Sequence, residues 1–185
     1  MRFTPLATEN LSALSDHDMI QFMKELLILR HAKSSWANSY LSDHDRPLNA
    51  RGKQDAPRMG KLLLTEDLVP DLIISSTAER ALTTAEAVAL ASGYEEAITT
   101  TRRFYHADPE AYVAVLRELP DTLQRVMVVG HNPGMEMLVE ELTGAAETMT
   151  TANIAYVKLP VDSWADLELD ESAVLQAFWR PKELS

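Results

Sequence analysis

Short, wholly apolar segments recur along the chain and predict strands. The segment 24–29 ends in four aliphatic residues without polar alternation, which is typical of a strand in the middle of a parallel sheet covered on both faces. The other predicted strands lie at about 72–74, 97–101, 126–129, 155–159 and 174–179. The last two flank an acidic turn region, and we expect them to pair like a hairpin at one edge of the sheet.

Amphipathic segments between these strands predict four helices. The first begins between Asn49 and Asp55 and runs to about 67, and the others lie at about 76–91, 109–119 and 133–143. Ser76 and Glu79 have the spacing of a capping box, and Asn132 can cap the fourth helix. Pro57 fits the first helix only in its first turn, with Asp55 as the cap. The alternation of strands and helices predicts a three-layer α/β/α domain with a mostly parallel six-stranded sheet.

Charged and imidazole side chains follow three of the predicted strands directly. Arg30 and His31 follow the first strand, Arg80 follows the second, and His131 follows the fourth. The carboxyl ends of parallel strands form the ligand crevice of such sheets, so we expect these four residues to meet. Arginine binds phosphoryl oxygens in a bidentate manner, and a neutral histidine can attack phosphorus. The pattern therefore predicts a phosphate or oxyanion site centred on His31.

The composition and net charge of the chain narrow the classes of molecule that it is expected to bind. The chain has 185 residues, of which 46% are hydrophobic and 24% charged, and this favours one soluble domain with a full core. Its formal net charge of −11 argues against binding to nucleic acid or to an anionic membrane surface. Cysteine is absent, which excludes a disulfide framework and thiolate ligands and fits a cytoplasmic protein.

The first 22 residues differ from the rest of the chain. No continuous apolar core follows Arg2, so a signal peptide is not expected, and acidic residues such as Asp16 argue against a transit peptide. We expect 1–22 to be a poorly ordered extension and 23–185 to be one domain. Translation starting at Met1, Met19 or Met23 is compatible with the sequence.

A polar loop between the first strand and the first helix contains the triplet Asp43, His44 and Asp45. Adjacent side chains of one loop rarely converge on a metal, so a solvated turn is the preferred interpretation, with either aspartate as a candidate proton donor. No acidic cluster typical of magnesium sites is evident, and neither a metal nor a cofactor is predicted. We expect His106 to be a surface or structural residue.

Four sequence motifs resemble those of the histidine phosphatase superfamily, which has the phosphoglycerate-mutase-like fold. They are 29–32 (LRHA), 45–52 (DRPLNARG), 75–81 (SSTAERA) with 84–85 (TA), and 129–131 (VGH). From residue 23 onward the resemblance is closest to the phosphohistidine phosphatase branch of SixA type, which implies a role in signal transduction. It also implies that His31 is the nucleophile and becomes transiently phosphorylated. The residues implied to hold the phosphoryl group are Arg30, Arg80, His131, Arg46 and Ser34.

Two departures from the family pattern affect the expected substrate. Ala32 stands where the superfamily usually has glycine, and Asn132 stands where its acid-phosphatase branch has an aspartic proton donor. Without that acid an alkoxide would leave slowly, whereas an imidazole can be protonated before it departs. The short spacing between Arg80 and His131 leaves no insertion for a lid, so we expect an open site that suits a phosphohistidine on a protein.

Three functions therefore remain open from the sequence. A metal-independent phosphohistidine phosphatase, with a phosphorylated protein as partner, is favoured by the missing acid. A phosphomonoesterase or mutase acting on a small phosphorylated molecule would need a well-placed acid. A non-catalytic phosphate-binding module would not need the histidine pair.

Overall fold

The structure is a computed structural model that describes residues 24–184. Within this part, one sheet contains β1 (Lys24–Arg30), β2 (Leu72–Ser76), β3 (Thr99–Thr101), β4 (Arg125–Gly130), β5 (Ile154–Leu159) and β6 (Val174–Trp179). The strand order is β3-β2-β4-β1-β5-β6. The first four strands are parallel, and β5 and β6 run antiparallel at one edge. The mostly parallel six-stranded sheet and its edge hairpin are thus confirmed.

Helices lie on both faces of this sheet. They are α1 (Ala50–Thr65), α2 (Glu79–Ser92), α3 (Pro109–Leu116) and α4 (Gly134–Thr143). Leu27 and Leu29 of β1 pack in one core with α1 and α2, while Leu26 and Ile28 pack in a second core with α3 and α4. Because successive side chains of a strand point to opposite faces, a wholly apolar β1 supplies both cores at once. The predicted three-layer architecture is confirmed.

The start of α1 differs from the prediction. Asn49 caps the helix, because its side chain accepts the N–H of Gly52 at 2.9 Å. The predicted Asp55 cap is therefore wrong, and Pro57 lies inside the helix rather than in its first turn. The Asp55 carboxylate instead pairs with Arg51 at 3.1 Å, one helical turn away.

The predicted side-chain caps of α2 and α4 are also wrong. The Ser76 hydroxyl accepts the N–H of Ala78 and lies 2.9 Å from a ring nitrogen of His131, so it does not cap α2. The Asn132 amide donates to the carbonyl of Met149 at 3.0 Å, and α4 has no side-chain cap. In both cases a tertiary partner takes the side chain that local spacing assigned to the helix.

Some sequence predictions concern residues that the structure does not describe. The extension 1–22 and the alternative starts at Met19 and Met23 lie outside the described residues. Within 24–184, no helix is both long enough and apolar enough to cross a membrane.

Candidate active site

Three neighbouring strands bring the predicted site residues together at their carboxyl ends. In the sheet register Arg30 of β1 lies opposite Gly130 of β4, so His31 and His131 follow at the same level. Their ring centroids are 5.0 Å apart. Arg80, in the first turn of α2, donates from Nε to His31 Nε2 at 3.3 Å. The carboxyl-end edge of the sheet, called the rim below, therefore holds His31 and His131 beside the buried guanidinium of Arg80.

His31 has the protonation state of a nucleophile. Its Nδ1 lies 2.7 Å from the Ala32 carbonyl oxygen, which can only accept a hydrogen bond, so Nδ1 carries the hydrogen. Nε2 is left with a lone pair. Burial lowers the pKa of His31 to about 4, with smaller contributions from the positive charges of Arg80 and Arg30, although the Ala32 hydrogen bond opposes the shift. The imidazole is neutral at pH 7 and Nε2 can attack phosphorus.

The backbone after His31 is fixed from two sides. The Ala32 N–H donates to the Thr84 hydroxyl at 3.0 Å, and that hydroxyl donates to the Arg80 carbonyl at 2.6 Å. One side chain therefore ties the histidine loop to the helix that carries the arginine. On the other side α1 packs directly on this loop, because a Cβ at Gly52 would collide with the Lys33 carbonyl. Only glycine fits at that contact.

His131 is more deeply buried than His31, with 4% of its surface exposed. Its Nε2 lies 2.9 Å from the Ser76 hydroxyl, whereas its Nδ1 has no partner among the described residues. Burial, with smaller contributions from the neighbouring His31 and Arg80, lowers the pKa of His131 to about 3. Both histidines of the pair are thus neutral at pH 7.

Unsatisfied polar atoms concentrate at this rim. Within residues 24–184, four buried side-chain atoms lack a hydrogen-bond partner, and they belong to Arg30, His131, Asn132 and Asn153. All four residues lie at the ends of β1, β4 and β5. Arg30 also donates from Nη1 to the Met149 carbonyl at 2.6 Å, which holds its guanidinium in place. Because buried polar groups are normally paired, the cluster of unpaired atoms indicates a binding site for a polar ligand.

Asp43 accepts hydrogen bonds from two arginines of the same rim. Its Oδ2 lies 3.0 Å from Arg80 Nη2 and 2.9 Å from the Tyr105 hydroxyl, and its Oδ1 lies 2.7 Å from Arg46 Nη1. Partial burial opposes ionisation, but hydrogen bonds from Arg46 and Tyr105 and the charge of Arg80 hold the pKa of Asp43 well below its usual range. An ionised carboxylate cannot donate a proton, so the geometry argues against Asp43 as proton donor.

Arg46 binds the loop that precedes α1. Its Nη2 donates to the Ser34 hydroxyl at 2.6 Å, its Nε donates to the Ser35 carbonyl, and its guanidinium stacks on Trp36. With Asp43 on Nη1, every nitrogen of Arg46 has a partner inside the loop. Arg46 and Ser34 therefore lie near the histidines but are already hydrogen-bonded to each other.

The chain is similar to a known protein family and to proteins of other organisms. A family model described as the histidine phosphatase superfamily (branch 1) matches residues 26–108. An uncharacterised chloroplastic protein of Arabidopsis thaliana is 32% identical over 173 residues, which cover 86% of this chain and 79% of that protein. An uncharacterised protein of Mycobacterium leprae is 32% identical over 166 residues, which cover 83% of this chain and all of that protein.

Solved structures point to one branch. A protein of Agrobacterium tumefaciens assigned as the phosphohistidine phosphatase SixA is 30% identical, with a TM-score of 0.74, over 87% of this chain and 100% of that one. A Nakamurella protein given the same assignment is 25% identical, with a TM-score of 0.70, over 85% of this chain and 96% of that one. The chain belongs to the SixA-like histidine phosphatases. Phosphatase activity is the function that this membership supports.

Two residues of this histidine phosphatase site were missed from the sequence. The Tyr105 ring meets the edge of His131 at 5.7 Å between centroids, and its hydroxyl binds Asp43. The His106 ring is mostly exposed, as expected of a surface residue, but its Nε2 lies 3.8 Å from Asp43 Oδ2. Both residues follow β3, the fourth parallel strand. The strand-end rule that found His31 and His131 would have found this segment too.

The expected open site is not what the fold produces. His31 and Arg80 expose only 8% and 4% of their surface. The cover is the polar loop between β1 and α1, which reaches across the rim through Asp43. The prediction of an open site considered only the segment between Arg80 and His131, whereas the covering residues lie earlier in the chain, between β1 and α1.

The remaining candidate acids do not approach the histidines as a proton donor would. The Asp45 side chain is largely exposed and accepts from Ser42 and His44. His44 itself contacts the Thr77 hydroxyl through Nε2 at 3.0 Å. Across the described residues, no group of three histidine, cysteine, aspartate or glutamate side chains has the arrangement of a metal site. The triplet at 43–45 is thus a turn in which Asp43 binds Arg46 and Arg80, whereas His44 and Asp45 contact each other.

Proposed function

We propose that this chain is a phosphohistidine phosphatase, acting on a phosphorylated histidine of a protein through a covalent phosphohistidine on His31. The observation that carries the proposal is the neutral, lone-pair-bearing Nε2 of His31 beside Arg80 and His131. The reaction needs in-line geometry and neutralisation of phosphoryl charge, and the arginines supply the latter without a metal ion.

In the first step, His31 Nε2 attacks phosphorus, and a new P–N bond forms. The substrate imidazole takes a proton from solvent on its other ring nitrogen. The P–N bond to it then breaks, its electron pair stays on the departing nitrogen, and a neutral imidazole leaves. Arg30 and Arg80 neutralise the phosphoryl oxygens, and His131 donates a hydrogen bond to one of them. His31 becomes a cationic phosphoimidazole, because Nδ1 keeps its hydrogen on the Ala32 carbonyl.

In the second step, water attacks the phosphorus of phosphorylated His31. The P–N bond to Nε2 breaks, its electron pair returns to the imidazole, and inorganic phosphate leaves with the oxygen of the water. The water releases one proton to phosphate or solvent, and His31 is regenerated neutral. The pKa of about 4 favours this return, because a neutral imidazole is a good leaving group from phosphorus.

Neither Asp43 nor Asp45 is placed as a proton donor, and this favours an imidazole as the first leaving group. Asp43 is held ionised by its arginines, and the side chain after His131 is the amide of Asn132. A positioned acid contributes about 10²–10⁴-fold when an alkoxide must leave. An imidazole needs much less help because it is protonated before departure. The SixA assignments of the Agrobacterium and Nakamurella proteins support the same substrate class.

The test is a comparison of leaving groups on one enzyme. We would measure kcat/KM on a histidine-phosphorylated protein, on phosphoserine and on an aryl phosphate, with the His31→Ala variant as the background. The expected preference for phosphohistidine over phosphoserine is about 100-fold or more, the size of the missing acid contribution. Faster turnover of phosphoserine would identify a phosphomonoesterase, whereas the aryl phosphate, whose leaving group needs no acid, shows only that the nucleophile is active. Phosphate binding without turnover of any substrate would identify a binding module.

A further inference from the structure

Ser76 is a fully buried hydroxyl that no step of the reaction above uses. It is the last residue of β2, and its Oγ lies 2.9 Å from His131 Nε2. The same oxygen accepts the N–H of Ala78 at 3.3 Å. Its own hydrogen therefore has one neighbour able to accept it, which is the ring nitrogen of His131.

The hydrogen-bond donors and acceptors around the ring distinguish the two neutral tautomers of His131. If Nε2 carried the hydrogen, it would donate to Ser76, and the Ser76 hydrogen would have no acceptor among the described residues. The bare Nδ1 lone pair, which is buried and unpartnered, would then face any phosphoryl oxygen as acceptor against acceptor. If Nδ1 carries the hydrogen, Ser76 donates to Nε2 and Nδ1 is free to donate to the phosphoryl group. Once a phosphoryl oxygen is bound, only the second arrangement satisfies both ring nitrogens and the Ser76 hydroxyl.

We propose that Ser76 is a positioning residue whose hydroxyl holds neutral His131 in the Nδ1–H tautomer and so directs a hydrogen-bond donor at the phosphoryl group. This inference rests on the proposed phosphatase function of the site. Burial of both groups strengthens the effect, because an orienting hydrogen bond is stronger away from water. The arrangement also explains why Ser76 leaves the helix-capping role that its spacing to Glu79 predicts.

Ser75 provides a matched control for Ser76. Both serines lie at the end of β2, both are fully buried, and both lose one hydroxyl on mutation to alanine. The Ser75 hydroxyl donates to the Ser76 carbonyl at 2.9 Å and has no recorded contact with His131. A general effect of removing a buried hydroxyl should therefore appear in both variants, and a tautomer effect only in Ser76→Ala.

The direct experiment is long-range ¹H–¹⁵N NMR of the His131 ring at pH 7, assigned with His131→Gln. In the wild-type protein we expect Nδ1 to give the signal of a protonated nitrogen and Nε2 that of a bare one. In Ser76→Ala we expect this pattern to move toward the opposite tautomer, and in Ser75→Ala to stay unchanged. A wild-type ring protonated on Nε2 would overturn the proposal, and this result does not depend on whether Ser76→Ala folds.

Kinetics provide the second readout. Ser76→Ala should lower kcat/KM roughly 10- to 100-fold, the usual effect of removing a partner that orients a histidine, while Ser75→Ala should not. An unchanged nitrogen pattern and rate in folded Ser76→Ala would overturn the inference. Failure of the wild-type protein to cleave phosphohistidine would instead contradict the proposed function, and the NMR result would still stand.

Discussion

The site has two halves that differ in how their polar groups are satisfied. The strand-end half consists of Arg30, His31 and His131, and it contains buried polar atoms that lack partners among the described residues. The loop half consists of Asp43 and Arg46 with the other loop residues that bind them, and its charges are already paired with one another. The strand-end half can therefore bind an anion, whereas the loop half already contains the Asp43 carboxylate.

Arg80 belongs to both halves. Its Nε donates to His31, while Nη1 and Nη2 donate to the carbonyl and carboxylate oxygens of Asp43. A phosphoryl group at His31 must therefore compete with an internal carboxylate for this guanidinium. In the proposed mechanism the phosphoryl chemistry belongs to the strand-end half, while the loop half sets how readily Arg80 is released to the phosphoryl group.

The largest effect should come from removing the nucleophile of the strand-end half. His31→Ala should lower kcat on phosphohistidine by about a thousandfold or more, because no other group can form the intermediate. His44→Ala is the matched control, since its ring contacts Asp45 and Thr77 rather than His31. Comparable losses in the two variants, measured by steady-state phosphate release, would place the chemistry elsewhere.

The shared arginine should rank second. Arg80→Lys should lower kcat/KM roughly 100-fold, because an ammonium cannot bind a phosphoryl oxygen and Asp43 with the fixed geometry of a guanidinium. Arg103→Lys, at an exposed ion pair with Glu118, should leave the rate unchanged. A fully active Arg80→Lys enzyme would mean that the two halves do not compete for this residue.

The free energy of unfolding should decrease as the solution becomes more acidic, because of the two histidines of the strand-end half. The folded-state pKa values of His31 and His131 are about 4 and about 3, below the usual 6.5, so the unfolded chain binds protons first. The contribution of the two neutral histidines to the free energy of unfolding is fully present above pH 6.5. It is lost as the pH falls toward their folded-state pKa values. The loss should be about 2 kcal/mol per histidine between pH 7 and pH 5. Urea unfolding at both pH values measures it, and a His131→Gln slope equal to that of the wild type would contradict it.

The smallest effect should come from the loop half. Asp43→Asn should tighten the binding of phosphate or tungstate by about fivefold. The partly exposed ion pair between Asp43 and Arg80 is worth about 1 kcal/mol, and its removal leaves Arg80 free to bind the anion. Asp45→Asn is the control from the same loop, with a side chain turned to Ser42. Weaker anion binding in Asp43→Asn, measured by calorimetry, would show that the carboxylate orients the arginines instead.

The two halves also differ in how far the sequence predicts them. His31 and His131 end apolar strands, and strand order alone brings them to one rim, so periodicity was sufficient to find them. Asp43 reaches the site through a loop without periodicity, and its partners Arg80 and Tyr105 lie 37 and 62 positions away. Such contacts are set by tertiary packing, which no local pattern records. The cover over the histidines was therefore not predicted.

The wrong caps have the same physical origin. Ser76 and Asn132 have local spacings that favour helix caps, but the fold offers each a tertiary partner, His131 and the Met149 carbonyl respectively. Each side chain is oriented toward its tertiary partner and does not accept an N–H from the first turn of the helix. Where local capping fails beside His131, the tertiary partner indicates a residue of the candidate site.

The most direct measurement is to trap the covalent intermediate. A protein carrying ³²P-labelled phosphohistidine would be mixed with the enzyme, quenched in alkali, where P–N bonds survive, and digested for peptide mapping. We expect the label on the peptide that contains His31, lost on acid treatment and absent from His31→Ala. Turnover with label on a different residue, or continued turnover by His31→Ala, would contradict a nucleophilic role for His31.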